Sequence, residues 1–148
     1  MAVTASPIFA QTPYVKTVTL AAQTACTTRA PTATASTAAA NIIAFVPAST
    51  NGLRIDSIQV NACGTSISTI NAANVVGIWV DDATNAYLIA EILVTAVTPS
   101  ATAAAFTTTY TFPLPLNLPA AFVLKASVGT TTTAAGTALQ VTAFGGAY

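Results

Sequence analysis

Charged side chains are almost missing from this chain. Its 148 residues include only four Lys or Arg, four Asp or Glu, and no His. Charged residues make up 5% of the sequence, whereas an ordinary soluble domain has about 25%. Acid–base catalysis, metal binding and contacts to phosphates all depend on such side chains. The deficit therefore predicts a structural protein whose surface is covered by neighbouring subunits, and no enzyme is expected.

Several partner classes are excluded by further absences. The two cysteines form no C-x-x-C or Cys/His spacing, so a structural zinc site is not predicted. Without an export signal, both thiols are expected to be reduced. Residues 1–9 lack the basic and apolar regions of a signal peptide. The uncharged stretch 92–124 is interrupted by four prolines, which argues against a membrane-spanning helix. Zero net charge with scattered cations argues against nucleic acid as a partner.

The residues that are abundant favour β-strands. Apolar residues alternate with polar ones along 14–20, and no segment shows the helical period of 3.6. Residues 75–80 and 86–96 are apolar runs joined by a short polar link, which predicts a hairpin. Within 53–61, Leu53 and Ile55 occupy odd-numbered positions, whereas Ile58 and Val60 occupy even-numbered ones, so a regular strand would place the two pairs on opposite faces. This phase change predicts a β-bulge near Asp56 and Ser57 that keeps both pairs in the core.

Further short strands are predicted over 24–29, 41–46, 104–112, 122–128 and 139–144. Pro113, Pro115 and Pro119 should hold their stretch extended at a sheet edge, where Leu114, Leu116 and Leu118 can point one way. Eight or nine such strands predict an all-β, single-domain β-sandwich of jelly-roll type over residues 14–148. Residues 1–13 have no strand pattern and are predicted to form an extended N-terminal arm.

Candidate sites for chemistry are few. Asp81, Asp82 and Asn85 bring several hard oxygens into one loop, as calcium sites do, but the EF-hand pattern is missing and an ordinary Asx-rich turn is the simpler interpretation. Asp82 with Glu91 is the one carboxylate pair that a glycosidase could use. The single Trp leaves that site without the aromatic lining of a sugar cleft. No cofactor, metal or small-molecule substrate is therefore predicted.

Large apolar residues near the chain ends predict contacts with other proteins. Trp79 alternates with Ile78 and Val80, so it lies on the opposite sheet face, where it serves either an interface or simple packing. Arg54 and Asp56 share a face and either pair with each other or reach a neighbouring subunit. The predicted interface residues are Ile8, Phe9, Tyr14, Trp79, Phe144 and Tyr148.

Several segments together resemble a known class of proteins. The runs LRIDSIQVN (53–61), GIWVDD (77–82) and YLIAEI (87–92), with the Leu-Pro stretch and the Gly-Gly-aromatic end, resemble small virion structural proteins of tailed bacteriophages. The resemblance covers residues 51–148 and is greatest to capsid cement or decoration proteins.

This resemblance implies a jelly-roll domain on the outside of the phage head. Such proteins form dimers or trimers and bridge neighbouring major capsid proteins without touching the DNA. The expected location is the capsid exterior, after synthesis in the host cytoplasm. A phage tail or fibre component that binds host receptors is the alternative.

Overall fold

Strands supply all the regular secondary structure of the residues that the computed structural model describes, which are 12–31, 41–64 and 72–148. The strands are β1 (Thr12–Leu20), β2 (Ile42–Val46), β3 (Leu53–Ala62), β4 (Asn74–Asp81), β5 (Ala86–Val94), β6 (Thr107–Leu118), β7 (Val123–Val128) and β8 (Leu139–Ala147). The all-β prediction is confirmed. Over the same ranges, no helix is long and apolar enough to span a membrane.

The strands form two antiparallel sheets of four strands each. One has the order β1-β8-β3-β6 and the other β2-β7-β4-β5. β1 pairs with β8, β2 with β7, β3 with β6 and β4 with β5, and the contacts β3–β8 and β4–β7 complete the sheets. One hydrophobic cluster contains residues of both sheets, such as Ile58 and Val141 from the first and Ile78 and Leu124 from the second. This architecture is compatible with a β-sandwich.

A bulge in β3 keeps the core face continuous. The register of β3 shifts between Ile55 and Ser57 against both neighbours. Asp56 is the extra residue relative to β8, whereas on the other side residues 112–115 of β6 are the surplus. Ile55 and Ile58 are both fully buried as a result. The bulge predicted from the phase change is confirmed, and so is the hairpin of β4 and β5.

The segment 24–29 is not a strand, contrary to prediction. The N–H groups of Gln23, Ala25 and Cys26 donate to Thr132 Oγ1, Thr131 Oγ1 and the Val128 carbonyl. Within the segment, the N–H groups of Ala25 and Cys26 thus bond to the end of β7 and the loop after it, in place of a strand ladder. Thr favours strands and Ala favours helices, so the composition of this segment could not decide its conformation.

Strand β6 is longer than predicted, because it continues through Pro113 and Pro115 to Leu118. Among the described strands it is an edge strand, as expected, and pairs only with β3. Its pairing jumps from Thr111 to Leu116 where β3 bulges. Leu114, in that gap, is 81% exposed while Leu118 is buried. The prediction that Leu114, Leu116 and Leu118 point one way is therefore wrong.

Strand β1 begins two residues before the predicted boundary. Thr12 and Pro13, the last residues of the predicted arm, pair with Ala147 and Gly146 of β8. The rest of the arm, residues 1–11, lies outside the described part of the chain.

Candidate functional site: an uncharged sheet face

The outer face of the sheet β1-β8-β3-β6 contains three neighbouring rows of side chains without a charge. The alternate residues of the same strands, such as Val18, Val60 and Val141, point into the core. The strand register fixes the rows as Val15, Phe144, Ser57, Thr111; then Thr17, Thr142, Gln59, Thr109; then Thr19, Gln140, Asn61, Thr107. We call these residues the uncharged face.

Hydrogen bonds link side chains within the uncharged face. The hydroxyl oxygens of Thr17 and Thr142 are 2.9 Å apart across β1 and β8. Thr107 Oγ1 donates to Asn61 Oδ1 at 2.5 Å. Thr109 and Thr111 are exposed, so their hydroxyl groups are accessible from outside. The face therefore presents groups that can both donate and accept hydrogen bonds.

An ion pair borders the uncharged face at one end. Arg54 occupies the row beyond Ser57 on the same side of β3, and its Nε donates to Asp56 Oδ1 at 2.7 Å. The sequence predicted that Arg54 and Asp56 either pair with each other or reach a neighbouring subunit, and in the structure they pair with each other. Its two charges neutralise each other, so the border adds no net charge to the face.

A second exposed surface follows the edge strand β5. In the described ranges this strand pairs only with β4, and Tyr87, Ile89 and Leu93 project from it, with Leu93 68% exposed. Two other edges carry residues that discourage further pairing, Lys16 in β1 and two prolines in β6. On β5 the charge of Glu91 is paired with Arg29, and neither Lys nor Pro occurs in the strand. The edge of β5 is thus the more accessible position for an added strand.

Trp79 lies on the outer side of the second sheet, opposite the core residues Ile78 and Val76, as the alternation predicts. Its side chain is only 1% exposed, and Nε1 donates to Ser127 Oγ at 2.8 Å. Gly77 makes room for the indole, since a Cβ there would lie 3.0 Å from Trp79 Nε1. Within the described chain Trp79 is a packed residue, and its role in an interface stays a prediction.

A buried ion pair joins the two central strands of the second sheet. Lys125 Nζ contacts Asp81 Oδ2, and the two side chains are 7% and 4% exposed. Asp81 Oδ1 also accepts the N–H of Ala83 at 2.7 Å. Sequence reasoning missed this pair because its members lie on strands that are distant in the chain.

The loop after β4 is an Asx-type turn. Asp82 Oδ1 accepts the N–H groups of Asn85 and Thr84, and these two bonds lower the pKa of the Asp82 carboxyl. Asp81 is directed to Lys125. Both carboxyl oxygens of Asp81 and one of Asp82 are therefore engaged in other contacts.

The other predicted interface residues are dispersed over the molecule. Ile8 and Phe9 lie outside the described residues. Tyr14 is half-buried, its hydroxyl has no hydrogen-bond partner in the described ranges, and burial raises its pKa. Phe144 is 36% exposed within the uncharged face. The hydroxyl of Tyr148 donates to Asn117 Oδ1 at 2.8 Å, which fixes the C-terminus beside β6.

The uncharged face itself was not predicted. Its only signal in the sequence is alternating Thr in the runs 107–111 and 17–19. The neighbouring strand that completes each row cannot be read from such a run. No protein-family model, curated protein sequence or solved structure matches this chain.

Proposed function

We propose that this chain is a structural subunit of a bacteriophage particle, a cement or decoration protein that binds the outside of the head and bridges major capsid proteins. The observation that carries this proposal is the uncharged face. A folded surface with regular rows of Thr, Gln and Asn, and without charge, suits a permanent contact with another subunit. A freely soluble domain would normally carry mixed charges there.

The order of the strands supports a jelly-roll fold for this subunit. Pairing of β1 with β8, β2 with β7, β3 with β6 and β4 with β5 is the pattern of one long hairpin wound into two sheets. Eight strands in two such sheets are typical of the jelly rolls of viral capsid proteins, lectins and cupins. Fold alone does not decide among these functions.

The uncharged face is assigned to a second copy of this chain. In a two-fold symmetric contact the same patch meets itself, so any charged residue near the axis faces its own charge. A face of hydroxyl and amide groups avoids this repulsion, because each group can both donate and accept. Thr109 and Gln59 lie in the middle row, so the proposed contact would centre on them.

The edge strand β5 is assigned to the shell. An extended segment of a capsid protein can add to an exposed edge through main-chain hydrogen bonds, with apolar side chains covering Ile89 and Leu93. Many copies of a modest contact on one particle give high avidity.

Thermal rupture of the particle tests the proposed function. Heads that lack this chain should rupture at a lower temperature than complete heads, and addition of the purified chain should restore the rupture temperature. The release of packaged DNA can be followed by dye fluorescence during heating. Equal rupture temperatures with and without the chain would contradict a cement role.

Electron microscopy of intact particles separates the head from the tail. Density for this chain is expected on the outer surface of the capsid, between major capsid proteins. Density on the tail would favour the alternative, a tail or fibre component.

The predicted arm can be tested separately, by a truncation that ends where β1 begins. Removal of residues 1–11 leaves β1 whole, because this strand begins at Thr12. The truncated protein should keep its β-sheet circular dichroism but occupy fewer sites on capsids. Full occupancy by the truncated protein would show that the arm, with Ile8 and Phe9, is not needed for attachment.

A further inference from the structure

The buried ion pair of Lys125 and Asp81 is unusual in a chain with so few charges. The chain has four acidic and four basic residues, and one of each is enclosed here with side-chain exposures of 7% and 4%. The pairs Arg29–Glu91 and Arg54–Asp56 are, by contrast, open to solvent. Burial of two ions has a large desolvation cost that their mutual attraction offsets only in part.

The geometry holds the amine against the carboxyl group. Lys125 lies directly opposite Trp79 on β4, and Asp81 is two residues further along the same strand face. Ala44, on β2, is opposite Lys125 on the other side. The N–H of Ala83 holds Asp81 Oδ1, which leaves Oδ2 in contact with Lys125 Nζ.

We propose that Lys125 and Asp81 condense into an intramolecular isopeptide bond that links β7 to β4. A proton passes from Lys125 Nζ to the Asp81 carboxylate, which gives a neutral amine and a neutral carboxylic acid. The amine lone pair attacks Asp81 Cγ, the C–N bond forms, and one carboxyl oxygen leaves with two protons as water. No oxidant, metal or other reactant is required.

Proximity and the loss of buried charge both favour this step. Groups held in contact by a folded protein react as if at an effective concentration of about 10⁵–10⁸ M when they are well oriented. The product amide is neutral, so condensation removes both buried charges together with the cost of keeping them from water. Asp81 is the last residue of β4 and its carboxyl group accepts the N–H of the exposed turn residue Ala83, so the released water has a short path to solvent.

The proton transfer takes place within the pair. The chain has only four carboxylate side chains. Asp56 and Glu91 bind Arg54 and Arg29, and Asp82 accepts the N–H groups of its own turn. The ion pair is therefore both the acid and the base of the reaction. The inference does not depend on the proposed place in a phage particle.

Intact mass spectrometry of the purified full-length chain tests the bond. The measured mass should be lower than the mass calculated from the sequence by one water molecule. Trypsin should also fail to cut after Lys125, so residues 55–148 should remain a single peptide. A mass equal to the sequence mass, with cleavage after Lys125, would overturn the proposal.

The matched control is Lys125→Arg, which keeps the positive charge but cannot form this amide. This variant should have its full sequence mass and should be cut after position 125. Asp56→Asn, at the exposed ion pair, should still lose one water molecule. Loss of water from Lys125→Arg would place the condensation elsewhere and contradict the assignment to Lys125.

Discussion

At the scale of single residues, the few charges of this chain mostly neutralise one another. The ion pairs of the described residues are Arg29–Glu91, Arg54–Asp56 and Lys125–Asp81. A molecule in which charges are rare and paired has a weak long-range field, so charge steering contributes little to association. Specific contacts must then come from shape, hydrogen bonds and apolar burial.

Close approach of the backbone at one position gives the first prediction. A Cβ at Gly145 would lie 1.9 Å from the carbonyl oxygen of Arg54, beside the bulge of β3. Gly145→Ala should therefore reduce the free energy of unfolding by about 1–3 kcal/mol or more, because the strands must separate. Gly129→Ala is the matched control, since its Cβ would meet Val75 Cβ at an ordinary 3.5 Å.

Urea unfolding followed by the fluorescence of Trp79, the only Trp, measures both variants. The Gly145 variant should unfold at a lower urea concentration than the Gly129 variant. Equal midpoints would show that β3 and β8 can separate here without cost.

At the scale of the strands, a single extra residue decides which side chains face the core. Asp56 adds one residue to β3, so that the residues on either side of it, Ile55 and Ile58, both point inward. The strand β5 has a similar shift opposite Ile78 and Trp79. These bulges restore the alternation that a regular strand would lose.

Two single-residue deletions test this explanation. Deletion of Asp56 leaves Ile55, Ser57 and Ile58 in regular alternation, so the protein should still fold. The loss of the exposed partner of Arg54 should cost only about 0–1 kcal/mol. Deletion of Gln59 instead turns Val60 outward and Asn61 into the core, and this variant should not fold.

Circular dichroism and thermal melting compare the two deletions. A β spectrum with a cooperative melt is expected for the Asp56 deletion alone. If both deletion variants fold, or if neither folds, the bulge does not determine which side chains of β3 point into the core.

Local patterns predicted the parts of the fold that depend on neighbouring residues. The parity change in 53–61 predicted the bulge, and two apolar runs around a polar link predicted the hairpin of β4 and β5. The course of 24–29 was predicted wrongly because its hydrogen-bond partners, Val128 and Thr131, lie about a hundred residues away. The uncharged face and the Lys125–Asp81 pair likewise depend on which distant strands become neighbours.

At the scale of the whole molecule, the absence of charged side chains is concentrated on one surface. The outer side of the first sheet is the uncharged face. On the second sheet, Trp79 and the ion pair of Lys125 and Asp81 are buried. The two sheets therefore differ on their outer sides although they share one core. We infer that the first sheet makes the contact between copies, and that charge is missing there because the face meets itself.

The molar mass of the chain in solution, measured by light scattering during size-exclusion chromatography, tests this claim most directly. The unmodified chain should elute as a multiple of its 14.8 kDa mass. Thr109→Lys puts a charge into the middle row and should give a monomer, whereas Thr84→Lys, at the exposed turn between β4 and β5, should not. A monomeric unmodified chain at every concentration, or an oligomer that Thr109→Lys leaves intact, would contradict it.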